Sequence, residues 1–269
     1  DRSPSRGLGD VYKRQDKEDN LLSAGTENTQ ITWMDVKIDN HAVTPRNGKT
    51  VELNALWYNA LKIMARLAEK YENKQLCRKY LEMAEKTKKS FDEKFYNEEK
   101  HCLYDVLGDS KVRPNQLFTL SLSHPIVDNA ETAEQVLNTV ENKLLNRYGL
   151  QTLSSDEDGY VDVYEGSAYN RDSSYHQGIT WPWLLGLYYD ALKNTMMIEK
   201  NRSKRQELEE KITNLVDTTK ETFKAEMFER SSIGTISEIY DSTEPYEERG
   251  AFAQAWSVAE IFRIVLNKR

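Results

Sequence analysis

Cysteine is scarce in this chain of 269 residues: Cys77 and Cys102 are the only two. They lack metal-ligand spacing and Cys77 lies in a helical pattern, so they read as free thiols in a reducing compartment. The four histidines, His41, His101, His124 and His176, are too scattered to form a metal cluster. Basic residues are in the minority, 37 against 44 acidic, for a net charge of −7. With no basic stripe to neutralise phosphates, nucleic acid is not the expected partner. No apolar run approaches the length of a membrane span, so no membrane partner is expected. A nucleophile motif and a glycine-rich phosphate loop are both missing, and no cofactor is implied.

What is present is a charged chain (30% Asp, Glu, Lys and Arg) long enough to bury a sizeable core. Residues 1–15 share no pattern with the rest and resemble a translated adapter, so they are set apart as a non-native tail. Residues 16–269 are expected to be one unit. After Pro45-Arg46-Asn47-Gly48, the residues Leu53, Leu56, Trp57, Ala60, Leu61, Met64, Leu67, Ala68 and Tyr71 follow helical spacing. A second helix over 74–96 carries Leu76, Tyr80, Met83, Ala84, Phe91 and Phe95 on one stripe, and a tight turn near Glu72-Asn73 makes the two a hairpin. Further helices are expected over 114–123, 130–145, 180–197, 202–228 and 250–268. Long loops, 97–113, 146–179 and 229–249, lie between them, and the first two have room for short extended pieces. No sustained alternation predicts a sheet. The charged run 198–213 reads as a solvated helix face or linker. The fold class is therefore all-α, with about seven helices and residue-rich loops of the length that usually carries function.

The densest chemistry is in Arg171-Asp172-Ser173-Ser174-Tyr175-His176-Gln177-Gly178-Ile179-Thr180-Trp181-Pro182-Trp183. Aromatic faces beside forked donors and acceptors suit a sugar ring, which offers C–H surface on one side and hydroxyls around its rim. Pro182 fits the first turn of a helix, so the polar half is placed on the loop before it. Three acids compete for a catalytic role: Asp35 in Thr32-Trp33-Met34-Asp35, Asp172, and Glu238 in Gly234-Thr235-Ile236-Ser237-Glu238. Each type of acid also serves as an ordinary cap or surface charge. Together with the aromatic loops they point to glycoside hydrolysis, which needs one protonated and one ionised carboxyl group. A Trp beside an acid, as Trp33 stands near Asp35, can desolvate the carboxyl and raise its pKa, keeping it protonated near neutral pH.

The ordered runs Thr32-Trp33-Met34-Asp35, Thr44-Pro45-Arg46-x-Gly48-Lys49-x-Val51-Glu52-Leu53-Asn54-Ala55-Leu56-Trp57-Tyr58-Asn59-Ala60-Leu61 and Arg113-Pro114-Asn115-Gln116 carry a resemblance. It continues through Arg147-Tyr148-Gly149-Leu150-x-Thr152-Leu153, Arg171-Asp172-x-x-Tyr175-His176-Gln177-Gly178-x-x-Trp181-Pro182-Trp183, Gly234-x-Ile236-x-Glu238 and Gln254-Ala255-Trp256-Ser257. Over roughly 31–269 the chain resembles the C-terminal catalytic domain of glycogen debranching enzymes, the amylo-α-1,6-glucosidase family. That resemblance implies an (α/α)6 toroid of twelve helices, of which this chain carries about seven, with earlier helices expected ahead of Trp33. It also implies an inverting hydrolase acting on glycogen or a branched α-glucan in the cytoplasm, with Asp35 as general acid and Glu238 as general base. Trp33, Arg46, Glu52, Trp57, Arg113, Asn115, Gln116, Arg171, Asp172, Tyr175, His176, Trp181 and Gln254 are expected to line its pocket. Asp172 is thereby a hydrogen-bond partner of substrate or of Arg171. Glu52 also suits the first turn of a helix, and Trp57, Trp183 and Trp256 also suit a core. A glucoamylase-like or trehalase-like enzyme, or an inactive carbohydrate-binding fragment, are the alternatives.

Overall fold

The computed structural model describes residues 14–230 and 233–266. Most of the expected tail, residues 1–13, lies outside them, as do residues 267–268 of the last expected helix. The described residues hold eight α-helices, and none of these is long and apolar enough to cross a membrane.

Gly48 (φ +98°) turns the chain into α1 (Val51–Lys70). The helix start is anchored tertiarily: Val51 N donates to Asp105 O (3.0 Å), and Leu107 N to Lys49 O (3.0 Å). Val51, Ala55, Tyr58, Leu61, Ala65 and Ala68 recur at helical spacing and are buried. Leu56 and Leu67, expected on the same stripe, lie exposed with Ile63 on the opposite side, and Tyr71 is exposed too. Apolar residues surround α1, so one periodic stripe could not separate its two faces. Glu72 takes a left-handed conformation (φ +57°), while Glu72 N donates to Glu69 O and Asn73 N to Ala68 O, a Schellman ending. Asn73 Oδ1 then accepts from Leu76 N to cap α2 (Lys74–Lys94), completing the expected hairpin. Tyr80, Ala84, Thr87 and Phe91 form the buried stripe of α2, with Phe91 stacked on Phe95 at 4.3 Å; Leu76 is exposed.

The expected helix at 114–123 is a 3-10 turn (Pro114–Leu117) followed by one α-turn, α3 (Phe118–Ser121). Asn129 caps α4 (Ala130–Lys143). A helix in the expected loop, α5 (Ala168–Ser174), is capped by Ser167, whose hydroxyl accepts from Asn170 N. Then come α6 (Leu184–Ile198), α7 (Arg202–Glu229) and α8 (Ala255–Leu266). The charged run forms the solvated first half of α7; its buried positions, apart from Ile212, come later. Helix α1 packs on α3, α3 on α6 and α6 on α8, while α2 covers α1, α4 covers α6 and α7 lies over α6 and α8. This is a row of inner helices backed by outer ones. Both cysteines are free, and burial pushes the Cys102 thiol up to about 11.

The chain also contains strands, against the expectation of no sheet. Hairpins β1–β2 (Lys37–Ile38, His41–Ala42) and β3–β4 (Tyr96–Asn97, Cys102–Leu103) are separate. An antiparallel sheet runs in order β5 (Leu145–Asn146), β6 (Gly149–Gln151), β7 (Thr180–Trp181), β8 (Ile239–Tyr240), β9 (Glu248–Arg249). Its strands are two or three residues long, too short for alternation to show in sequence. The pairing Thr180↔Tyr240 delays helix α6 to Leu184 and ties two segments distant in the chain. On the other side of β7, Gly149 permits the close approach of β6: a Cβ there would come within 2.4 Å of Trp181 O.

Glu72 in the left-handed region is the hairpin's local weakness, because a Cβ is disfavoured there. Replacing Glu72 by Gly should stabilise the chain by about 0.5–1 kcal/mol and Glu72→Val should destabilise it. Urea midpoints ordered the other way would contradict this account of the turn.

Candidate functional site

Two supports hold the site. The first is a buried polar chain under the Trp33 loop. Arg46 forks to Glu52, its Nη1 close to Oε1 and its Nη2 2.6 Å from Oε2. On its other side Nε and Nη2 donate to the two oxygens of Asp105, at 2.5 and 2.9 Å. Asp105 Oδ1 also accepts from Asn115 Nδ2 (2.8 Å), and Asn115 Oδ1 accepts from the Trp33 indole Nε1 (2.7 Å). Arg46 Nη1 reaches Thr32 Oγ1 at 3.2 Å. Arg113, also buried, donates through Nη1 to Thr152 O (2.9 Å) and His176 O (2.7 Å), and through Nη2 to Gln177 Oε1 (3.0 Å). Its Nε stands 3.9 Å from Asp105 Oδ2. Two guanidinium groups and two carboxylates thus balance in one buried cluster, the condition under which buried charge is tolerated.

Met34 is buried by these contacts, and the next residue, Asp35, is left with its side chain 65% exposed. Asp35 Oδ1 lies 3.9 Å from His176 Nε2, beyond direct hydrogen-bond length. Even so, the His176 imidazole holds the Asp35 carboxyl below its ordinary value, with burial opposing. The expectation that Trp33 raises this pKa is therefore corrected. The Trp33 ring packs into an aromatic cluster, against His176, Trp181 and Trp183 at 5.1–5.4 Å, while Asp35 faces water. Burial lowers the His176 pKa, so the ring is neutral at pH 7.

The second support is the five-stranded sheet. Tyr175 and His176 precede β7, and Glu238 precedes β8. Glu238 Oε2 accepts from Ala251 N (3.0 Å) and Oε1 from Gln254 Nε2 (2.8 Å). Burial first, then the nearby Glu238 carboxylate, pushes the pKa of the Tyr175 hydroxyl far up. Gly250 (φ +68°) leaves the space: a Cβ there would come within 2.5 Å of Glu238 Oε2. These contacts occupy residues 250–254, so α8 begins only at Ala255 rather than at 250.

Of the expected residues, the structure brings together Trp33, Asp35, Tyr175, His176, Glu238 and Gln254. Arg171 and Asp172 lie beside Tyr164, whose ring is 5.6 Å from Tyr175. Arg171 donates to Gly166 O (2.6 Å), and no Arg171–Asp172 ion pair is present among the described residues. Arg46, Glu52, Arg113, Asn115 and Gln116 are buried beneath the face, with most of their polar atoms bonded inside this network or to backbone. Trp57 is buried in the α1 core, and Trp181 is buried as the plate on which His176 stacks at 5.2 Å. Sequence reading missed Asp105, whose signal was a lone acid inside the apolar run Cys102-Leu103-Tyr104-Asp105-Val106-Leu107. It also left Trp183 and Trp256 undecided; they stack at 5.1 Å beside Trp33, half-buried.

Breaking this cluster should be costly in a definite order. Arg46→Met leaves Glu52 without its cation and Asp105 with only the more distant Arg113, and should cost roughly 3–5 kcal/mol. Glu52→Gln leaves Arg46 its Asp105 partner, so its urea midpoint should fall less; the reverse order would contradict the account. A second expectation concerns pH. The folded His176 pKa lies below the unfolded value of 6.5, so below pH 6.5 the unfolded chain takes up a proton that the fold refuses. Stability conferred above pH 6.5 is lost as pH falls through that window. His176→Gln should therefore lose less stability than the wild type between pH 7.5 and 5.0; equal losses would exclude His176 as the source.

Solved structures share the fold. A GH63 mannosylglycerate hydrolase from Thermus thermophilus matches with a TM-score of 0.53 at 13% identity, over 84% of this chain and 47% of that one. An uncharacterized conserved protein from the same organism matches at 0.55 and 14%, over 84% and 48%. A sialidase matches at 0.63 and 12%, over 90% of this chain and 21% of that one. The chain thus spans about half, or less, of the length of these structures. Its sequence matches the amylo-alpha-1,6-glucosidase family over residues 9–263, nearly from end to end, and the chain belongs to that family.

Proposed function

We propose that the protein is an inverting glycoside hydrolase that removes α-1,6-linked glucose stubs from glycogen or a limit dextrin, and that its helix row is an arc of an (α/α)6 toroid. The observation that supports this most is the convergence of two carboxylates from opposite ends of the chain on one dipeptide. Asp35 faces His176, and the Glu238 carboxylate stands close enough to the Tyr175 hydroxyl to raise its pKa, with the Tyr175 ring 4.8 Å from the His176 ring. The dipeptide separates the carboxylates, in keeping with an inverting pair, which must leave room for a water.

In this reading Asp35 protonates the departing glycosidic oxygen. Glu238 takes a proton from the water that attacks the anomeric carbon on the other face. The exposed Asp35 carboxyl is ionised in the open face; a sugar seated over it excludes water, removes solvation of the charge and raises its pKa toward what an acid needs. Half-buried Trp33 offers the apolar ring face, while Arg171, Asp172 and Tyr164 offer partners to hydroxyls. No cofactor takes part.

One observation favours a second reading, glycan binding without hydrolysis: as it stands, the Asp35 carboxyl is held below its ordinary range, the wrong direction for an acid. Glucose release from limit dextrin, followed by NMR of the first anomer formed, decides between them. Hydrolysis by inversion yields β-glucose first. Asp35→Asn and Glu238→Gln should each lower kcat by about 10²–10⁴-fold while glycan binding persists. Wild-type rates in either variant, or α-glucose first, would refute the assignment, and binding with no glucose at all would favour the second reading. Parallel assays on an α-1,4-glucan and on trehalose separate debranching from glucoamylase-like and trehalase-like action.

A further inference from the structure

Asp105 lies outside every motif of the site, yet it is the group on which both sides of the Asp35–His176 contact depend. It is buried on β4's exit, and its two oxygens accept from Arg46 Nε and Nη2 and from Asn115 Nδ2. Through Asn115 it reaches the Trp33 indole, two residues before Asp35; through Arg46 it reaches Thr32. The Arg113 guanidinium, 3.9 Å away, donates to the carbonyl of His176 itself. The backbone of Asp105 takes part as well, since its carbonyl accepts from Val51 N at the head of α1 and from Arg46 Nη2 (3.3 Å).

We propose that Asp105 is a positioning residue for the proton-donating half of the site: it orients the Trp33 indole through Asn115 and so sets where Asp35 stands against His176. This deepens, and rests on, the reading of Asp35 as the general acid. The physical reason is geometric. An ionised carboxylate has acceptor sites enough for a guanidinium fork and an amide at once. Asn115 is then obliged to present its amide nitrogen to Asp105 and its oxygen to the indole, which fixes the amide and with it the ring. An amide at position 105 offers one oxygen and one nitrogen, and the nitrogen would face the donors of Arg46. Asn115 would lose its fixed orientation, and Trp33 its acceptor. Small displacements of a proton donor are expensive, since a misplacement of about 1 Å can cost about 10²-fold in rate.

The test uses two readouts on the whole chain, of which only one needs activity. The first is the Trp33 indole N–H resonance in a nitrogen-15 spectrum, assigned by its disappearance in Trp33→Phe. The second is kcat and KM for glucose release from limit dextrin. In Asp105→Asn the indole resonance should move, and kcat should fall by about 10²-fold with KM changed less than about threefold. On the Trp33→Phe background, which has no indole donor to orient, the same substitution should cost less than about threefold in kcat, because the two residues act through one link. An unmoved resonance in folded Asp105→Asn would overturn the proposal, as would a full multiplicative loss on the Trp33→Phe background or a loss confined to KM. Should Asp105→Asn not fold, Asn115→Leu removes the amide that joins Asp105 to the indole while leaving the Arg46–Asp105 pair in place, and the same resonance and kcat outcomes apply to it. If the wild type releases no glucose, the reading of Asp35 as an acid fails by itself; a moved resonance would still uphold the positioning of Trp33, and an unmoved one would sink that too.

Discussion

Arg46, held between the carboxylates of Glu52 and Asp105, is the interaction on which the rest of the structure depends. A guanidinium this deeply buried survives only if charge and hydrogen bonds are both satisfied. Satisfying it draws together the first turn of α1, the end of the β3–β4 hairpin and the 3-10 turn that presents Asn115. The Trp33 loop has no secondary structure to hold it and is fixed by what remains of these donors and acceptors. Removal of solvent from the cluster and immobilisation of the loop are one event, and Asp35 is left pointing outward because Met34 beside it is pulled in.

The other half of the site is held differently. Glu238 stands on a sheet whose strands are so short that pairing alone would not sustain them; they persist because they lie against buried Trp181, Tyr240 and Tyr148, the last two stacked at 4.5 Å. Glycines allow the close approaches. Gly178 (φ +140°) sits where a Cβ would come within 2.3 Å of Val161 O, and Gly250 leaves room for the Glu238 carboxylate. A polar network therefore carries one carboxylate and a backbone ladder the other, and Tyr175–His176 is where the two supports meet.

The long helices of the hairpin were legible because a 3.6-residue apolar period survives over several turns, as in α1 and α2. The strands were not, since two residues hold no period, and α5 was hidden because a seven-residue polar helix has no apolar stripe to read. Within the site, Trp33, Asp35, Tyr175, His176, Glu238 and Gln254 were legible through the family's motifs. Those motifs could not tell which matched residues meet solvent. Arg46, Glu52 and Asn115 belong to them as firmly as Asp35 does, yet lie beneath the face, because burial is decided by neighbours far along the chain.

The sequence by itself determined the helical character and the family, both properties of local spacing and residue order, and proposed Asp35 and Glu238 as the pair to examine. Tertiary structure alone decided that Asp35 and Glu238 answer to the same dipeptide, that Asp105 is the hub behind Trp33, and that the Asp35 carboxyl lies below its ordinary range. Those depend on distances between residues tens to hundreds of positions apart. Such distances follow from the packing of the whole core and from where charge can be neutralised out of reach of water.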